Sequence, residues 1–184
     1  MFESAELGHT VTKEVFKEQV PQLRTDLLHL QEALKRTDVS VICVIAGVDG
    51  AGKGETVNLL NEWFDPRFLE VRTFEGPTEE ELEQPTFWRF WRVLPPRGRI
   101  GIFFGSWYTA PILDRVAGRI DDATFARAMA HIGAFEKMLV EDRTLIVKFW
   151  FHLSKPAQKT RLRTLEADKR TRWRVTKTDW ERFA

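Results

Sequence analysis

Residues 39–46 read Val39-Ser40-Val41-Ile42-Cys43-Val44-Ile45-Ala46, and residues 47–54 continue as Gly47-Val48-Asp49-Gly50-Ala51-Gly52-Lys53-Gly54. The first half is a continuous run of apolar, mostly β-branched residues, which is typical of a strand buried on both faces of a parallel sheet. The second half fits the pattern G-x-x-x-x-G-K, with glycine in place of the usual final serine or threonine. An apolar pattern of helical period follows. This order of strand, glycine-rich loop and helix predicts a phosphate-binding loop.

The residue types in this loop suit an anion. Glycines let consecutive backbone N–H groups point inward and form an anion nest, and the following helix adds its positive N-terminal dipole. Lys53 supplies a mobile positive charge for terminal phosphates. The alternative is a glycine-rich turn that binds nothing. The residues predicted to bind phosphate or a nucleotide are Gly47, Val48, Gly50, Ala51, Gly52, Gly54 and Glu55.

Two positions distinguish this loop from the common ATPase loop. Gly54 lacks the hydroxyl that normally holds Mg²⁺ in P-loop enzymes. Asp49 places a carboxylate inside the loop, where it can help to hold a metal ion or can orient and deprotonate an acceptor oxygen. Equally, Asp49 can be a turn residue that bonds its own backbone. The sequence leaves these roles of Asp49 open.

The rest of the chain alternates helical and strand patterns. Leucines at 23, 27, 30 and 34 predict a helix over residues 12–36, with Pro21 starting or kinking it. Further strands are predicted at 68–74, 99–104 and 144–153, and further helices at 78–93, 121–142 and 154–167. The alternation predicts an α/β fold with a central parallel sheet, a P-loop kinase-like three-layer αβα sandwich.

Composition narrows the class of protein. The 184 residues are 43% hydrophobic, which is enough for the core of one domain. A net charge of +1 gives no bulk argument for nucleic acid or a membrane as a partner, and we expect neither. The single Cys43 is predicted to be a core thiol, and the histidines show no metal-ligand spacing. The basic stretch 155–177 is either a local anion-binding site or a solvated helix face. Without a signal-peptide pattern or a long apolar run, the expected location is the cytoplasm.

Motifs along nearly the whole chain resemble the polyphosphate kinase 2 family. The loop has that family's form, Gly-x-Asp-x-x-Gly-Lys-Gly. The likeness continues through Asn61-Glu62-Trp63-Phe64-Asp65-Pro66-Arg67, Trp88-Arg89 ahead of Leu94-Pro95, Gly98-Arg99-Ile100-Gly101-Ile102-Phe103, Ser106-Trp107-Tyr108, Phe135-Glu136-Lys137-Met138-Leu139, and the basic residues 169–174 with Trp173. The strongest likeness is to the N-terminal half of the two-domain members, the polyphosphate:AMP phosphotransferases.

The resemblance implies phosphoryl transfer between inorganic polyphosphate and AMP or ADP, with Mg²⁺ as cofactor. It implies that the loop grips the phosphate of the acceptor nucleotide, while a basic groove and a mobile, helical basic lid hold the polyphosphate. Asp49 and Lys53 match functional residues of the family's loop, Asp49 also as a metal ligand, and Arg89 matches a basic residue before the Leu-Pro turn; these three are the implied catalytic residues. The implied lid residues are Arg161, Arg163, Lys169 and Arg170.

The chain departs from the family at the end of the third strand. The family carries Asp-Arg just before Ser-Trp-Tyr, where the aspartate holds Mg²⁺ and the arginine contacts phosphate, but this chain has Phe104-Gly105. The Asn and Arg that often follow the Tyr are Thr109 and Ala110. Asp114-Arg115 restores the dipeptide later, beyond Pro111 and away from the strand end.

Two main readings follow from the intact loop and the altered strand end. The chain is either a polyphosphate-dependent phosphotransferase or a degenerate domain that binds phosphate or polyphosphate and supports an active homologous C-terminal half. An ordinary ATP-dependent nucleotide kinase is a third candidate, which Gly54 and Phe104 argue against. We expect residues 1–36 to be a helical segment packing on the core, and residues 37–184 to be a phosphotransferase domain cut at its C-terminus. The expected partners are the second homologous domain and further copies in a homo-oligomer.

Overall fold

The computed structural model describes Gly8 and residues 10–183, with Arg182 by its backbone alone. Residues 1–7, His9 and Ala184, which belong to the two predicted segments, lie outside the described residues. In the described part, four parallel strands form one sheet in the order β2-β3-β1-β4. These strands are β1 (Ser40–Gly47), β2 (Leu69–Thr73), β3 (Ile100–Phe104) and β4 (Thr144–Phe151). The predicted parallel α/β fold is confirmed.

Helices connect the strands. They are α1 (Lys13–Leu34), α2 (Lys53–Trp63), α3 (Glu79–Leu82), α4 (Trp88–Trp91), α5 (Thr109–Val116), α6 (Asp122–Glu141), α7 (Lys155–Ala167) and α8 (Lys177–Phe183), with short 3₁₀ helices at Pro66–Phe68 and Arg172–Arg174. Side-chain caps at Thr12, Asp121 and Ser154 start α1, α6 and α7, as residues of these types commonly do. The sequence analysis did not predict α5 or α8.

Both faces of the sheet are covered by helices. Successive side chains of β1 point to opposite faces, so its apolar residues contribute to a cluster on each side. Val41, Cys43 and Ile45 pack in a cluster with Leu34 of α1 and Val57 of α2. On the other face, Ile42 and Val44 pack with aromatic residues of α4, the segment after β3 and α6: Phe90, Trp107 and Phe135. The two clusters give the three layers of the predicted sandwich. Burial raises the pKa of the Cys43 thiol to about 11, as expected for a core cysteine.

One detail of the predicted elements is wrong. Residues 78–93 do not form a single helix, because Pro85 separates α3 from α4: proline lacks an N–H and disfavours helical backbone in the residue before it. The start of α3 is as predicted, with Thr78 and Glu81 bonded reciprocally in a capping box. Pro21 does not start α1, which begins at Lys13 and continues through the proline.

None of the described helices combines the length and the apolar composition that a membrane span requires.

Candidate phosphate-binding site

The glycine-rich loop leaves β1 against the neighbouring strand β4. Gly47 has φ 133°, and a Cβ there would lie 2.0 Å from the carbonyl oxygen of Phe151, so no other residue fits. The next residue is held to the same strand, because the N–H of Val48 donates to the Phe151 carbonyl (3.0 Å). Gly50 and Gly52 have φ 80° and 98° and turn the chain into α2. No described side chain caps α2, so the N–H groups of its first turn face the loop as an anion site requires.

Lys53 folds back onto its own loop. Its Nζ donates to the carbonyl oxygens of Gly47 (2.6 Å) and Val48 (3.2 Å) and forms an ion pair with Asp49 Oδ1 (3.1 Å). Both charged side chains are more than two-thirds buried, at 18% exposure for Lys53 and 29% for Asp49. Two of the three residues predicted to be catalytic, Asp49 and Lys53, therefore lie together, with their charges balanced against each other. An entering phosphate competes with Asp49 and the carbonyls for the ammonium group.

Helix α7 lies over the loop. Gln158 Nε2 donates to the Asp49 carbonyl (3.0 Å), and the side chain of Leu162 approaches the backbone of Gly50. From the same region, Arg161 and Arg174 both reach the carboxylate of Glu55 in the first turn of α2. Of the predicted lid residues, Arg161 therefore reaches the first turn of α2, directly after the loop.

The other three predicted lid residues are at the surface. Arg163 and Lys169 are exposed, and Arg170 forms an ion pair with Asp168 (3.0 Å). The hydrogen bonds of Arg170 to Asp168 lower the pKa of that carboxyl group. Arg174 was not predicted to be a lid residue. It contacts Glu55 in the first turn of α2, directly after the loop. Arg174 is the last residue of the 3₁₀ helix Arg172–Arg174, which was not predicted from the sequence.

The end of β3 carries no charged group. Phe104 packs in the cluster with Val57 of α2, and Gly105 turns the chain with φ 79°. A Cβ at Gly105 would lie 2.8 Å from the carbonyl oxygen of Phe74, so the backbone itself excludes a larger residue. Asp114, the alternative carboxylate, lies in α5 and pairs with Arg119 (2.6 Å).

The protein groups available to a metal ion in the loop are few. Among residues 8 and 10–183, no group of three His, Cys, Asp or Glu is placed to hold a metal ion. Gly54 has no hydroxyl, and Asp49 is paired with Lys53. In phosphoryl-transfer sites Mg²⁺ is commonly held by one or two carboxylates together with water and substrate phosphates. Asp49 is the residue of the loop that fits this role.

A network of hydrogen bonds holds the segment that follows β3 in place. The indole Nε1 of Trp107 (3.0 Å) and the hydroxyl of Tyr108 (2.8 Å) both donate to Glu136 Oε1 on α6. Lys148 of β4 donates to Glu136 Oε2 (2.6 Å) and to the Tyr108 hydroxyl (2.8 Å). Burial raises the pKa of Tyr108; for Lys148, burial opposes the charge but the bonds to Glu136 and Tyr108 outweigh it and raise the pKa. Sequence reasoning assigned no role to Glu136 or Lys148, because their partners are distant in the chain.

A cavity of about 960 Å³ opens beside the ends of β2 and β3, between α3, α4, α5 and α6. Arg89 lines it, stacked near the rings of Phe74 (5.5 Å) and Phe90 (5.7 Å) and paired with Glu81 (3.4 Å). The Nε atom of Arg89 is buried without a hydrogen-bond partner among the described residues. A volume of this size is typical of small-molecule sites.

The parallel sheet and the loop between its first strand and α2 define an α/β protein of the P-loop kinase class. More specifically, the chain belongs to the polyphosphate kinase 2 (PPK2) family, whose sequence model matches residues 10–184.

Individual relatives agree with this assignment. The chain is 50% identical over 182 residues to a polyphosphate:AMP phosphotransferase of Pseudomonas aeruginosa, covering 98% of this chain and 37% of that protein. It is 28% identical over 171 residues to a GDP-polyphosphate phosphotransferase of Mycobacterium tuberculosis, covering 93% and 58%.

Two solved structures share the fold. A polyphosphate kinase 2 from Pseudomonas aeruginosa superimposes with a TM-score of 0.85 at 48% identity, covering 97% of this chain and 40% of that one. A polyphosphate kinase 2 from Arthrobacter aurescens gives a TM-score of 0.89 at 30% identity, covering 96% and 64%. The chain thus spans 37% of the Pseudomonas phosphotransferase in length and 58% of the mycobacterial one.

Proposed function

We propose that the chain is part of a polyphosphate-dependent nucleotide phosphotransferase of the cytoplasm. Such an enzyme transfers a phosphoryl group between inorganic polyphosphate and AMP or ADP. The observation that carries the proposal is the loop itself: left-handed glycines, an uncapped α2 and the Lys53 ammonium converge on one point. The printed names of the relatives, which pair polyphosphate with AMP or GDP, support the substrate class.

The role proposed for the loop is to hold a phosphate group. Phosphoryl transfer depends on positioning and charge neutralisation more than on covalent catalysis. Lys53 leaves the carbonyl oxygens of Gly47 and Val48 for phosphate oxygens, and the Asp49 carboxylate accepts a proton or orients an acceptor. Arg89 and the lid residues Arg161, Arg163, Lys169 and Arg170 remain proposed contacts.

The apolar end of β3 favours a second candidate function. Phe104 and Gly105 offer no charged side chain for a metal ion or a phosphate, and the described residues contain no cluster of three His, Cys, Asp or Glu that could hold a metal ion. In this second proposal the domain binds phosphate or polyphosphate and supports a catalytic homologous half of a longer protein. That half, and further copies of the chain in a homo-oligomer, are its proposed partners.

One experiment separates the two candidates. Purified protein is incubated with polyphosphate, Mg²⁺ and AMP or ADP, and the nucleotide products are followed by chromatography. Polyphosphate binding is measured directly in a parallel experiment. Formation of a higher nucleotide, lost in Lys53→Ala but kept in Lys137→Ala, supports the phosphotransferase. Lys137 is the matched control because it lies on α6, paired with Glu141 at the surface.

Binding without turnover supports the second candidate. The absence of both binding and turnover, with Lys53→Ala indistinguishable from the unmodified chain, would contradict both proposals.

A further inference from the structure

The most exposed tryptophan of the chain lies in the 3₁₀ helix that follows α7. Trp173 keeps 72% of its surface exposed, whereas the other six tryptophans are buried or less than half exposed. The indole is nevertheless held in its orientation, because its Nε1 donates to the carbonyl oxygen of Arg170 (2.9 Å). The N–H group is therefore satisfied, and the part of the side chain that faces solvent is the apolar surface of the ring.

Local hydrogen bonds order the backbone that carries Trp173. The N–H groups of Thr171 and Arg172 donate to the carbonyl oxygen of Asp168, at 3.0 and 2.9 Å. The Thr171 hydroxyl donates to the carbonyl oxygen of Leu165 (2.8 Å), a buried residue of α7, and so ties the segment to the core. An aromatic ring on ordered backbone loses little conformational freedom when a ligand covers it, which favours binding.

Arg174 connects this ring to the phosphate loop. The guanidinium carbon of Arg174 lies 5.5 Å from the centre of the Trp173 ring, and its Nη1 lies 2.6 Å from the carboxylate of Glu55. Glu55 stands in the first turn of α2, the helix whose N-terminus can hold an anion. A molecule that places a phosphate group in the loop can therefore reach the indole with its other end.

The chemistry of the indole selects the class of this molecule. An inorganic phosphate chain has no apolar part, so it gains nothing from an exposed ring. A nucleotide carries a planar base beside its phosphate group, and every base has a π face that stacks on an aromatic side chain. An exposed, oriented ring among arginines near an anion site therefore suits a nucleotide better than an inorganic anion.

We propose that Trp173 is the stacking surface for the base of a nucleotide whose phosphate group lies in the loop. The loop and Lys53 hold the phosphate group, and the indole adds affinity that only a ligand with a base can use. Trp173 thereby distinguishes a nucleotide from a phosphate compound without a base. This inference rests on the proposed function of the loop.

The test compares AMP with ribose 5-phosphate, which keeps the sugar and the phosphate group but lacks the base. Titration calorimetry measures the Kd of both ligands. Trp173→Ala is expected to weaken AMP binding about tenfold, as for loss of a stacking ring, and to change ribose 5-phosphate binding by less than about twofold. Trp173→Phe is expected to keep most of the AMP affinity, because its ring still stacks although the bond to Arg170 is lost.

Phe16→Ala is the matched control. Phe16 is an exposed aromatic residue (44%) on α1, the helix whose Arg24 contacts Glu62 near the far end of α2 from the loop. Its loss is expected to leave the affinities for AMP and ribose 5-phosphate unchanged. Circular dichroism and melting curves of each variant show that it is folded before the affinities are compared.

Three results would overturn the role of Trp173 and leave the loop proposal standing, provided that Lys53→Ala weakens both ligands. Equal weakening of AMP and ribose 5-phosphate in Trp173→Ala would assign the indole a structural role. No change in either affinity would show that the base does not reach the ring. A loss in Trp173→Phe as large as in Trp173→Ala would assign the effect to the hydrogen bond with Arg170.

Failure of the loop proposal gives a different result. If Lys53→Ala changes neither affinity, or if the unmodified chain binds neither AMP nor ribose 5-phosphate, the loop proposal falls and the role of Trp173 falls with it.

Discussion

Single residues set what the loop and its surroundings can do. Lys53 and Asp49 neutralise each other inside the loop. Beside the loop, the single carboxylate of Glu55 contacts two arginines, so that cluster keeps a net positive charge. At the end of β3 the decisive residue is Gly105. Its left-handed backbone and its closeness to Phe74 leave no room for an arginine side chain.

We predict that Gly105→Ala destabilises the chain more than Gly118→Ala does. Both glycines have positive φ, at 79° and 66°, but a Cβ meets the Phe74 carbonyl at 2.8 Å only in the first case and open space in the second. Positive φ alone costs about 1 kcal/mol, and the forced backbone shift should raise the loss at Gly105 to about 2–4 kcal/mol. Urea unfolding followed by circular dichroism measures both. Equal losses would contradict this account.

The residues of the loop were predictable because the motif is local: each glycine and Lys53 stand within eight positions. The pairing of Glu55 with Arg174 spans 119 positions, and nothing in the sequence spacing indicates it. The lack of a charged side chain at the end of β3 was visible in sequence as Phe104-Gly105. That the backbone also excludes a side chain at 105 required coordinates.

Helices and strands of this chain are tied to one another by a few polar contacts as well as by the core. Glu136 joins α6 to the segment after β3 through Trp107 and Tyr108, and to β4 through Lys148. Periodicity predicted α6 and β4 well. Apolar spacing alone does not show that the helical pattern is interrupted at Pro85. The proline itself was the signal for this interruption.

We predict that Glu136→Ala lowers the free energy of unfolding by about 2–4 kcal/mol, because it leaves the buried indole N–H of Trp107 and the Lys148 charge without their acceptor. Glu141→Ala on the same helix is the control. Glu141 is exposed and lies 3.7 Å from Lys137, so its loss should be below about 0.5 kcal/mol. Denaturant unfolding measures the free energy of unfolding of both variants. Similar small losses would exclude a structural role for the hydrogen-bond network around Glu136.

At the scale of the whole molecule, ligand binding and folding are coupled through the loop. The loop joins β1 to α2 and is held by β4 and α7, so an anion bound there contacts a site that exists only in the folded chain. The topology behind this arrangement followed from the alternation of patterns in sequence. The strand order did not, since only the structure places β1 between β3 and β4.

We predict that tripolyphosphate raises the melting temperature without a metal ion. At a ligand concentration of about 100 times Kd, the stabilisation is about 2.7 kcal/mol, or roughly 5–10 °C for a chain of this size. Because the Lys53 ammonium and the N–H groups at the start of α2 can hold an anion without a metal ion, EDTA should leave the shift intact, while Lys53→Ala should remove it. Differential scanning calorimetry measures the shift; one that appears only with Mg²⁺ would overturn the metal-free assignment.

The place of β1 in the sheet has a consequence for how the chain is made. The segment that carries the phosphate loop is synthesised early, yet it is held by Phe151 and Gln158, about 100 residues later. Parallel pairing over such separations is slow to form, because long loops must close before the contacts reward it. During translation, the contacts that hold residues 47–54 therefore cannot form until β4 and α7 have left the ribosome. We expect the loop to be among the last parts of the domain to fold.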